Sequence, residues 1–534
     1  MTSMSHEPIL VVGAGPVGLS MAVALKSMDV PVRIVDRNEG PTVLSKALVI
    51  WARTLEVLDG TCDASKFVDA GIPVAGASIH RPQGLLADVD LDGVESRFGP
   101  GILLPQSVTE KILLERLAEL GVTVERRTEL VSFVDEGDHV RAVLRDSSGE
   151  ETEVTTPWLL GCDGAHSTVR HGNDLDFSGG EVPDPFVLGD VHVEGDLPGN
   201  RVSVFFHPSG IMAFFPMIGG RFRLIANTPG RAADDTETTI DELQALVDER
   251  IASSLRLDDP DWLGVFRIRE RVLEDYRAGR CLLAGDAAHV HSPVGGQGMN
   301  TGIQDAMNLA WKLAMFQRGL AGDDLIRSYS TERSEIGHKV VAATTRATEI
   351  ATTDNALLQG LRNAAVRFGT GLSAVRDKLT RSLSMVDVNY RRTGYRGHDA
   401  IHRRHASMHV GDRFPFLELI DVDGSKRIPD ATFAPGCFTL LVVEGVGTPG
   451  FPDAVASMIA SIPEAVRSMV HVVAVASDRI ESGADSMLVD VDGALHERAG
   501  FHGHGGILVR PDRYIALFLG ALDSRSLADW FETS

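Results

Sequence analysis

The chain has 534 residues, 43% of them hydrophobic, and carries 51 Lys+Arg against 74 Asp+Glu for a formal net charge of -23. That apolar share excludes bulk disorder, and the length suggests roughly two to four domains. The acidity excludes a nucleic-acid binder unless basic residues are sharply grouped, and the best such stretch, 391–404, is short and mixed with His and Gly. Four separated cysteines with no CxxC pair exclude a disulfide scaffold and argue against a thiolate zinc site, which suits a reducing cytoplasm. The uncharged run 9–25 has no Lys or Arg before it and holds three glycines at motif spacing, so it reads as structure rather than a targeting core. No other segment is long and apolar enough to span a bilayer.

In chain order, the apolar run 9–12, the glycines after it, the amphipathic stretch 19–28 and the β-branched run 32–35 closed by Asp36 predict strand, tight turn, helix and strand. A helix is expected over 108–120, with strands over 122–126 and 140–145, and 158–162 is a buried-type strand ending at Asp163-Gly164. Short strands at 187–193, 202–207, 211–217 and 222–227, broken by Gly and Pro, predict an antiparallel sheet, followed by a helix over 240–254. Residues 281–284 read as another buried strand, leading through a Gly/Pro loop to a helix over 299–318 and helical patterns to 388. The Gly, Arg and His after Arg391 predict a linker. The tail then offers strands at 439–443, 470–476, 506–509 and 514–519 with helices between, a compact α/β unit.

The segment Gly13-Ala14-Gly15-Pro16-Val17-Gly18 follows a strand and opens a helix. Gly13 permits the tight turn, Gly15 lets a pyrophosphate approach the backbone, and Gly18 lets the helix pack on the strand, with the helix N-terminus facing the phosphates. Asp36 closes the second strand, where a carboxylate accepts both ribose hydroxyls. Such a site suits NAD, NADP or FAD, and Asp36 disfavours a 2′-phosphate. A second constellation decides among them: Gly285-Asp286 ends a strand, and Pro293, Gly295, Gly296, Gly298, Met299 and Asn300 lead into a helix carrying Asp305, Asn308 and Lys312. There a carboxylate bonds a ribityl hydroxyl, and a helix N-terminus aimed at a flavin ring stabilises the negative charge that develops on reduction. The third piece runs from Gly161-Cys162-Asp163-Gly164 to Arg170.

With these three fingerprints in order, essentially the whole chain resembles the class A flavoprotein aromatic hydroxylases, the p-hydroxybenzoate and phenol hydroxylase-like monooxygenases. It is most similar to their three-domain branch, which acts on phenols, aromatic polyketides and rifamycin-type antibiotics. The resemblance implies an α/β fold with a Rossmann-like (GR2-type) FAD-binding domain at 1–75, 98–178 and 272–330. An inserted antiparallel-sheet substrate domain with associated helices would take 76–97, 179–271 and 331–392, a linker 393–405, and a thioredoxin-like C-terminal domain 406–534. Lys46, Arg53 and Gln106 match positions that line the flavin or help bind cofactor, and Arg37 joins the FAD-binding set beside Asp36. The family usually has Glu where Asp36 stands and Arg where Lys46 stands, and Lys keeps the charge without the planar fork. Asp163, Gly164 and Arg170 would serve both FAD and the NAD(P)H donor, which needs no second GxGxxG in this family.

The chemistry so implied is oxygen transfer from O2 through a flavin C4a-hydroperoxide to an aromatic, phenolic or polycyclic substrate, with Pro293 and Gly295 among the catalytic positions. Baeyer–Villiger insertion, antibiotic-inactivating oxygenation and a non-enzymatic FAD-binding protein are the alternatives. The partners are then a small aromatic molecule and O2, with no nucleic acid and no membrane, for a cytoplasmic monomer or homodimer. Phe205, Phe214 and Phe215 are expected to line the substrate or to fill the sheet core, and Arg223 to hold substrate or sit at a salt-bridged edge. None of the 5 Tyr falls within 186–228, so a sheet tyrosine relay is excluded, and His207 is the candidate base, against a bland reading as a turn residue. The pairs His289/His291, His402/His405 and His502/His504 lack a Cys or carboxylate at ligand spacing, so no metal is expected. Cys437 stands alone in the tail with no CxxC, which argues against thiol redox chemistry there.

Overall fold

The computed structural model describes residues 7–42, 47–232, 235–251, 254–353, 355–395, 407–421, 424, 426–427, 433, 436–445, 447–520 and 522–532. Its first sheet runs Arg277–Ala278, Cys281–Leu283, Leu159–Gly161, Ile9–Val12, Val32–Asp36, Glu125–Arg126, parallel except for the first edge strand. The central strands are buried on both faces, which is why they read as unbroken apolar runs rather than alternating ones. Helix Pro16–Ser27 begins on a proline, where no backbone donor is needed, and packs on helix Gly298–Gln317 and on helix Gln106–Glu119.

The second sheet has the order Arg256–Phe266, Phe186–Glu194, Arg221–Asn227, Gly210–Pro216, Arg201–His207, Gly76–Arg81, Gly84–Asp90. All neighbours are antiparallel except Arg201–His207 with Gly76–Arg81. Helix Ile240–Arg250 starts in a capping box between Thr239 and Glu242 and covers one face of this sheet, burying Leu243 and Val247 on Val191, Phe205, Met212, Phe214 and Leu224. The other face looks toward the carboxyl ends of the parallel strands. A three-stranded sheet of Glu151–Thr156, Val140–Arg145 and Glu129–Asp135 flanks the first.

The C-terminal sheet is ordered Lys426–Arg427, Leu419–Asp421, Ser486–Val489, Val470–Ala476, Phe438–Val443, Gly505–Val509, Ile515–Gly520. The three strands Ser486–Val489, Val470–Ala476 and Phe438–Val443 are mutually parallel, and Gly505–Val509 runs against them. One face of this sheet shares a core with the first unit, where Trp311 meets Phe438 edge-on at 5.5 Å. The other face packs a separate core under Leu495 and Phe414.

Several elements depart from expectation. The strand expected over 122–126 is only Glu125–Arg126, and the helix expected to 254 ends at Arg250, where Ile251 turns extended. Strand Arg256–Phe266 was missed, because it carries Asp258-Asp259-Pro260-Asp261, a composition that signals a turn; it is tolerated because this is an edge strand, with a register shift opposite Asp190 to His192. Most of the expected linker at 393–405, with His402 and His405, lies outside the described residues. Among the described residues no helix is long and apolar enough to cross a membrane.

Candidate active site

At the carboxyl ends of the parallel strands lies a long cleft, the position where open α/β sheets bind ligands. It comprises two adjoining cavities of about 330 and 260 Å³ that share Gly15, Gln106, Cys162 and Gly164. The smaller is lined by Gly13, Asp36, Arg37, Glu110, Arg126 and Asp163, the larger by Asp286, Pro293, Gly296, Gly298, Met299 and the sheet residues Phe215, Arg223 and Ile225.

The three glycines divide their labour as the spacing implies. Gly13 has φ +98°, and a Cβ there would stand 2.4 Å from the Cys162 carbonyl oxygen. A Cβ on Gly18 would stand 1.9 Å from the Gly13 carbonyl oxygen, so helix and turn touch through backbone. On Gly15 it would meet no atom within 4 Å, because that position opens on the cleft. Asp36 braces the turn: its Oδ2 accepts the Ala14 N–H at 2.7 Å and its Oδ1 the Asn38 N–H at 2.7 Å. Arg126, which sequence reasoning missed, lies 3.6 Å from Asp36 and lines the same cavity with a buried Nη2 that has no partner. Its signal was its place on the strand beside Asp36, in register with it. Glu110, also missed, accepts the Thr42 N–H at 3.1 Å and a hydrogen bond from Gln106 at 2.9 Å, and burial raises its pKa.

Asp163 Oδ2 accepts the Thr168 N–H at 2.7 Å, while its buried Oδ1 has no partner, and burial raises the carboxyl pKa. Arg170 acts behind the cleft, donating to the Ala287 carbonyl at 3.1 Å and the Ala165 carbonyl at 2.8 Å, and so ties the Asp163-Gly164 segment to the Gly285-Asp286 turn. Gly285 has φ +61° and donates its N–H to Asp305 Oδ2 at 3.0 Å. Asp305 is fully buried. Burial alone would raise its pKa, but the Arg333 charge, with Nε at 2.6 Å, and His289, with Nε2 at 2.7 Å, hold it below the ordinary value. Arg333 also donates to the Tyr390 hydroxyl at 2.9 Å and the Thr301 carbonyl at 3.1 Å. Asn300 is buried and stitches the glycine loop to strand Val49–Trp51, accepting the Trp51 N–H at 2.8 Å and donating to the Val49 and Gly296 carbonyls. Trp51 Nε1 donates to the Gly295 carbonyl at 2.8 Å, so Gly295 is anchored from the back of the loop.

On the sheet side the alternation of a strand sorts the aromatic residues. Phe215 faces the cleft, whereas Phe205 and Phe214 point to the opposite face and fill the core under helix Ile240–Arg250. Arg223 lines the cleft while 1% exposed; its Nε and Nη2 donate to the two oxygens of Asp190 at 2.7 Å each, and its Nη1 has no partner. His207 stands outside the cleft at a hairpin end, bonded to Ser209 at 2.8 Å. Arg53 is also apart, buried against Glu56, the Asp512 carbonyl and the Tyr514 ring. Lys46 lies outside the described residues.

The cleft fits FAD on its own terms. Gly15 leaves backbone exposed beside the N-terminus of helix Pro16–Ser27, and Asp36 and Arg126 line the smaller cavity next to it. The orphaned Asp163 oxygen and the exposed Asp286 carboxylate stand along its length, with the N-terminus of helix Gly298–Gln317 at the far end.

Comparison with known proteins agrees. A family model described as an FAD binding domain matches residues 6–344. The chain is 33% identical over 526 residues to a 6-methylpretetramide 4-monooxygenase of Streptomyces rimosus, covering 95% of this chain and 90% of that protein. Its fold matches an anhydrotetracycline hydroxylase of Streptomyces rimosus at TM-score 0.77, 28% identity and 98% and 99% coverage of this chain and that one. It also matches an aklavinone-11 hydroxylase, solved with FAD and aklavinone, at TM-score 0.78, 25% identity and 99% and 98% coverage. The chain thus belongs to the FAD-dependent aromatic monooxygenases.

Proposed function

We propose that this protein hydroxylates a phenolic, polycyclic aromatic substrate at the expense of NAD(P)H and O2. The observation that carries the reading is the larger cavity, bounded on one side by the loop from Pro293 to Met299 and on the other by the sheet face bearing Phe215, Arg223 and Ile225. When bound, FAD supplies the oxidising chemistry, passing electrons from the reduced nicotinamide to O2 and delivering one oxygen atom to the ring. Asp163, Asp286 and the helix N-termini would hold it. Apolar Val49, Leu48, Phe215 and Ile225 exclude water from the ring's side of the cavity. Arg223 is held by Asp190, which leaves Nη1 as the donor for a substrate oxygen.

In this reading the FAD-binding part is of the GR2 type, built from 1–75, 98–178 and 272–330, and the C-terminal part from 406 onward is thioredoxin-like. The order Val470–Ala476, Phe438–Val443, Gly505–Val509, Ile515–Gly520, with the third reversed, supports that assignment.

The test is to purify the protein, identify its flavin, and follow NADH and NADPH oxidation with O2 uptake against a panel of polycyclic phenols. Substrate-stimulated oxidation and a product heavier by one oxygen atom are expected. Absence of flavin, or of any stimulation across the panel, overturns the proposal, and a ring-expanded lactone would redirect it to Baeyer–Villiger insertion.

A further inference from the structure

Among the described residues that line the larger cavity there is one histidine, and no catalytic expectation names it. His291 lines the larger cavity, directly before the loop that begins at Pro293. Its Nδ1 lies 2.9 Å from the Ser292 carbonyl oxygen. A carbonyl only accepts, so Nδ1 carries the proton and Nε2 is left with a lone pair. That Nε2 is buried and has no partner, which is costly for a polar atom unless a ligand satisfies it. The ring is kept in place by stacking on His289, centroids 6.4 Å apart and planes at 17°, and His289 is itself fixed by Asp305. Gly298 of the glycine loop is the neighbour of Nε2: a Cβ there would stand 3.7 Å from it.

We infer that His291 Nε2 is the acceptor that recognises a ring hydroxyl of the substrate, acting together with the unpartnered Nη1 donor of Arg223 in the same cavity. This rests on the reading of the cleft as a hydroxylase site and narrows its substrate class. The preferred molecule presents a free O–H and, elsewhere on its fused rings, an oxygen that accepts, as a hydroxylated quinone or keto-phenol does. A methyl ether at the hydroxyl position leaves the acceptor unpaired and is rejected. Burial brings the imidazole pKa down to about 4. The ring therefore stays neutral in the presence of a phenol, whose proton it orients without removing.

The test uses flavin-loaded full-length protein and the matched probes 2-hydroxy-9,10-anthraquinone and 2-methoxy-9,10-anthraquinone, with binding read from the perturbation of flavin absorbance. Wild type should bind the phenol about tenfold to a hundredfold more tightly than the ether. His291→Phe should bring that ratio close to one with flavin content unchanged, and His291→Asn, which restores an acceptor, should recover part of it. Equal binding of the two probes by wild type overturns the assignment without recourse to any variant. So does failure of both to bind, or a preference that survives in His291→Phe. Flavin content is measured first: a protein that holds no flavin defeats the reading of the cleft itself, whereas a flavin-loaded protein without the preference defeats only the role of His291.

Discussion

Gly15 and Gly18 differ in what a side chain at each would meet. A methyl group on Gly18 would run into the Gly13 carbonyl oxygen at 1.9 Å, and backbone has nowhere to move in so tight a turn. On Gly15 the same methyl meets nothing, and it projects where a pyrophosphate would approach the helix N-terminus. Gly15→Ala is therefore expected to unfold within about 0.5 kcal/mol of wild type when both are stripped of flavin, while losing flavin affinity at least tenfold. Gly18→Ala should lower both, by about 2 kcal/mol or more in stability. Denaturant unfolding of the apoproteins, set beside flavin fluorescence titration, distinguishes the two; a Gly15→Ala protein that binds flavin normally would contradict the role given to that position.

At the scale of elements, the Gly285-Asp286 turn is held by two helices that cross behind it. Asp305 on helix Gly298–Gln317 takes the Gly285 N–H, and Arg333 on helix Asp323–Thr352 balances Asp305. Arg333→Met would take away the guanidinium that faces the buried Asp305 carboxylate and leave it with His289 and the Gly285 N–H, a loss of about 3–5 kcal/mol. Flavin affinity should fall with it, since the turn carrying Asp286 loses its brace. Urea unfolding and flavin titration of this variant check both halves. The motif segments themselves were legible in the sequence because their glycines and carboxylates answer to local backbone geometry, as the φ of Gly13 and the Asp36 bond to Ala14 show. What was not legible depends on distant pairing. Period two says that Phe214 and Phe215 face opposite ways, but only the docking of helix Ile240–Arg250 decides which of them meets the cleft. Likewise strand Arg256–Phe266 exists because Phe186–Glu194 offers it an edge, against its own turn-like composition. His207 had the right chemistry in the right sheet, yet the hairpin carries it out of the cavity, and His291 was hidden inside a flavin fingerprint.

Over the whole molecule the net charge is -23, and many of the buried charges are ion-paired, as Arg223 with Asp190, Arg333 with Asp305 and Lys312 with Glu332 are. The densest set of them joins the C-terminal unit to the rest. Glu332 accepts from Arg510 at 2.7 and 2.9 Å, from Lys312 at 2.9 Å and from Asn308 at 2.6 Å. Arg510 also holds Asp512, whose carbonyl receives Arg53, and Glu56 between Arg53 and Arg413 closes the seam. Glu332 is the residue before Arg333, so one helix turn faces both the C-terminal unit and the brace of the cofactor turn. Burial alone would raise the pKa of each carboxylate. Instead, Arg510 and Lys312 hold Glu332 well below the usual range, and Arg413 with Arg53 brings Glu56 down to about 2. Groups with a depressed folded pKa stabilise the chain fully above their unfolded value of about 4.3 and lose that contribution as the pH falls toward the folded value. Acid should thus loosen the C-terminal unit below about pH 4. Glu332→Gln leaves Arg510 and Lys312 buried with too little opposite charge, and about 3–5 kcal/mol should be lost at pH 7. The variant should also show a flatter dependence of stability on pH between about 4 and 2, since one of the titrating groups is gone. Limited proteolysis should cut it first near the C-terminal unit, before the flavin is released. Equal stability of wild type and Glu332→Gln at pH 7 would remove this seam from the forces that hold the two units together.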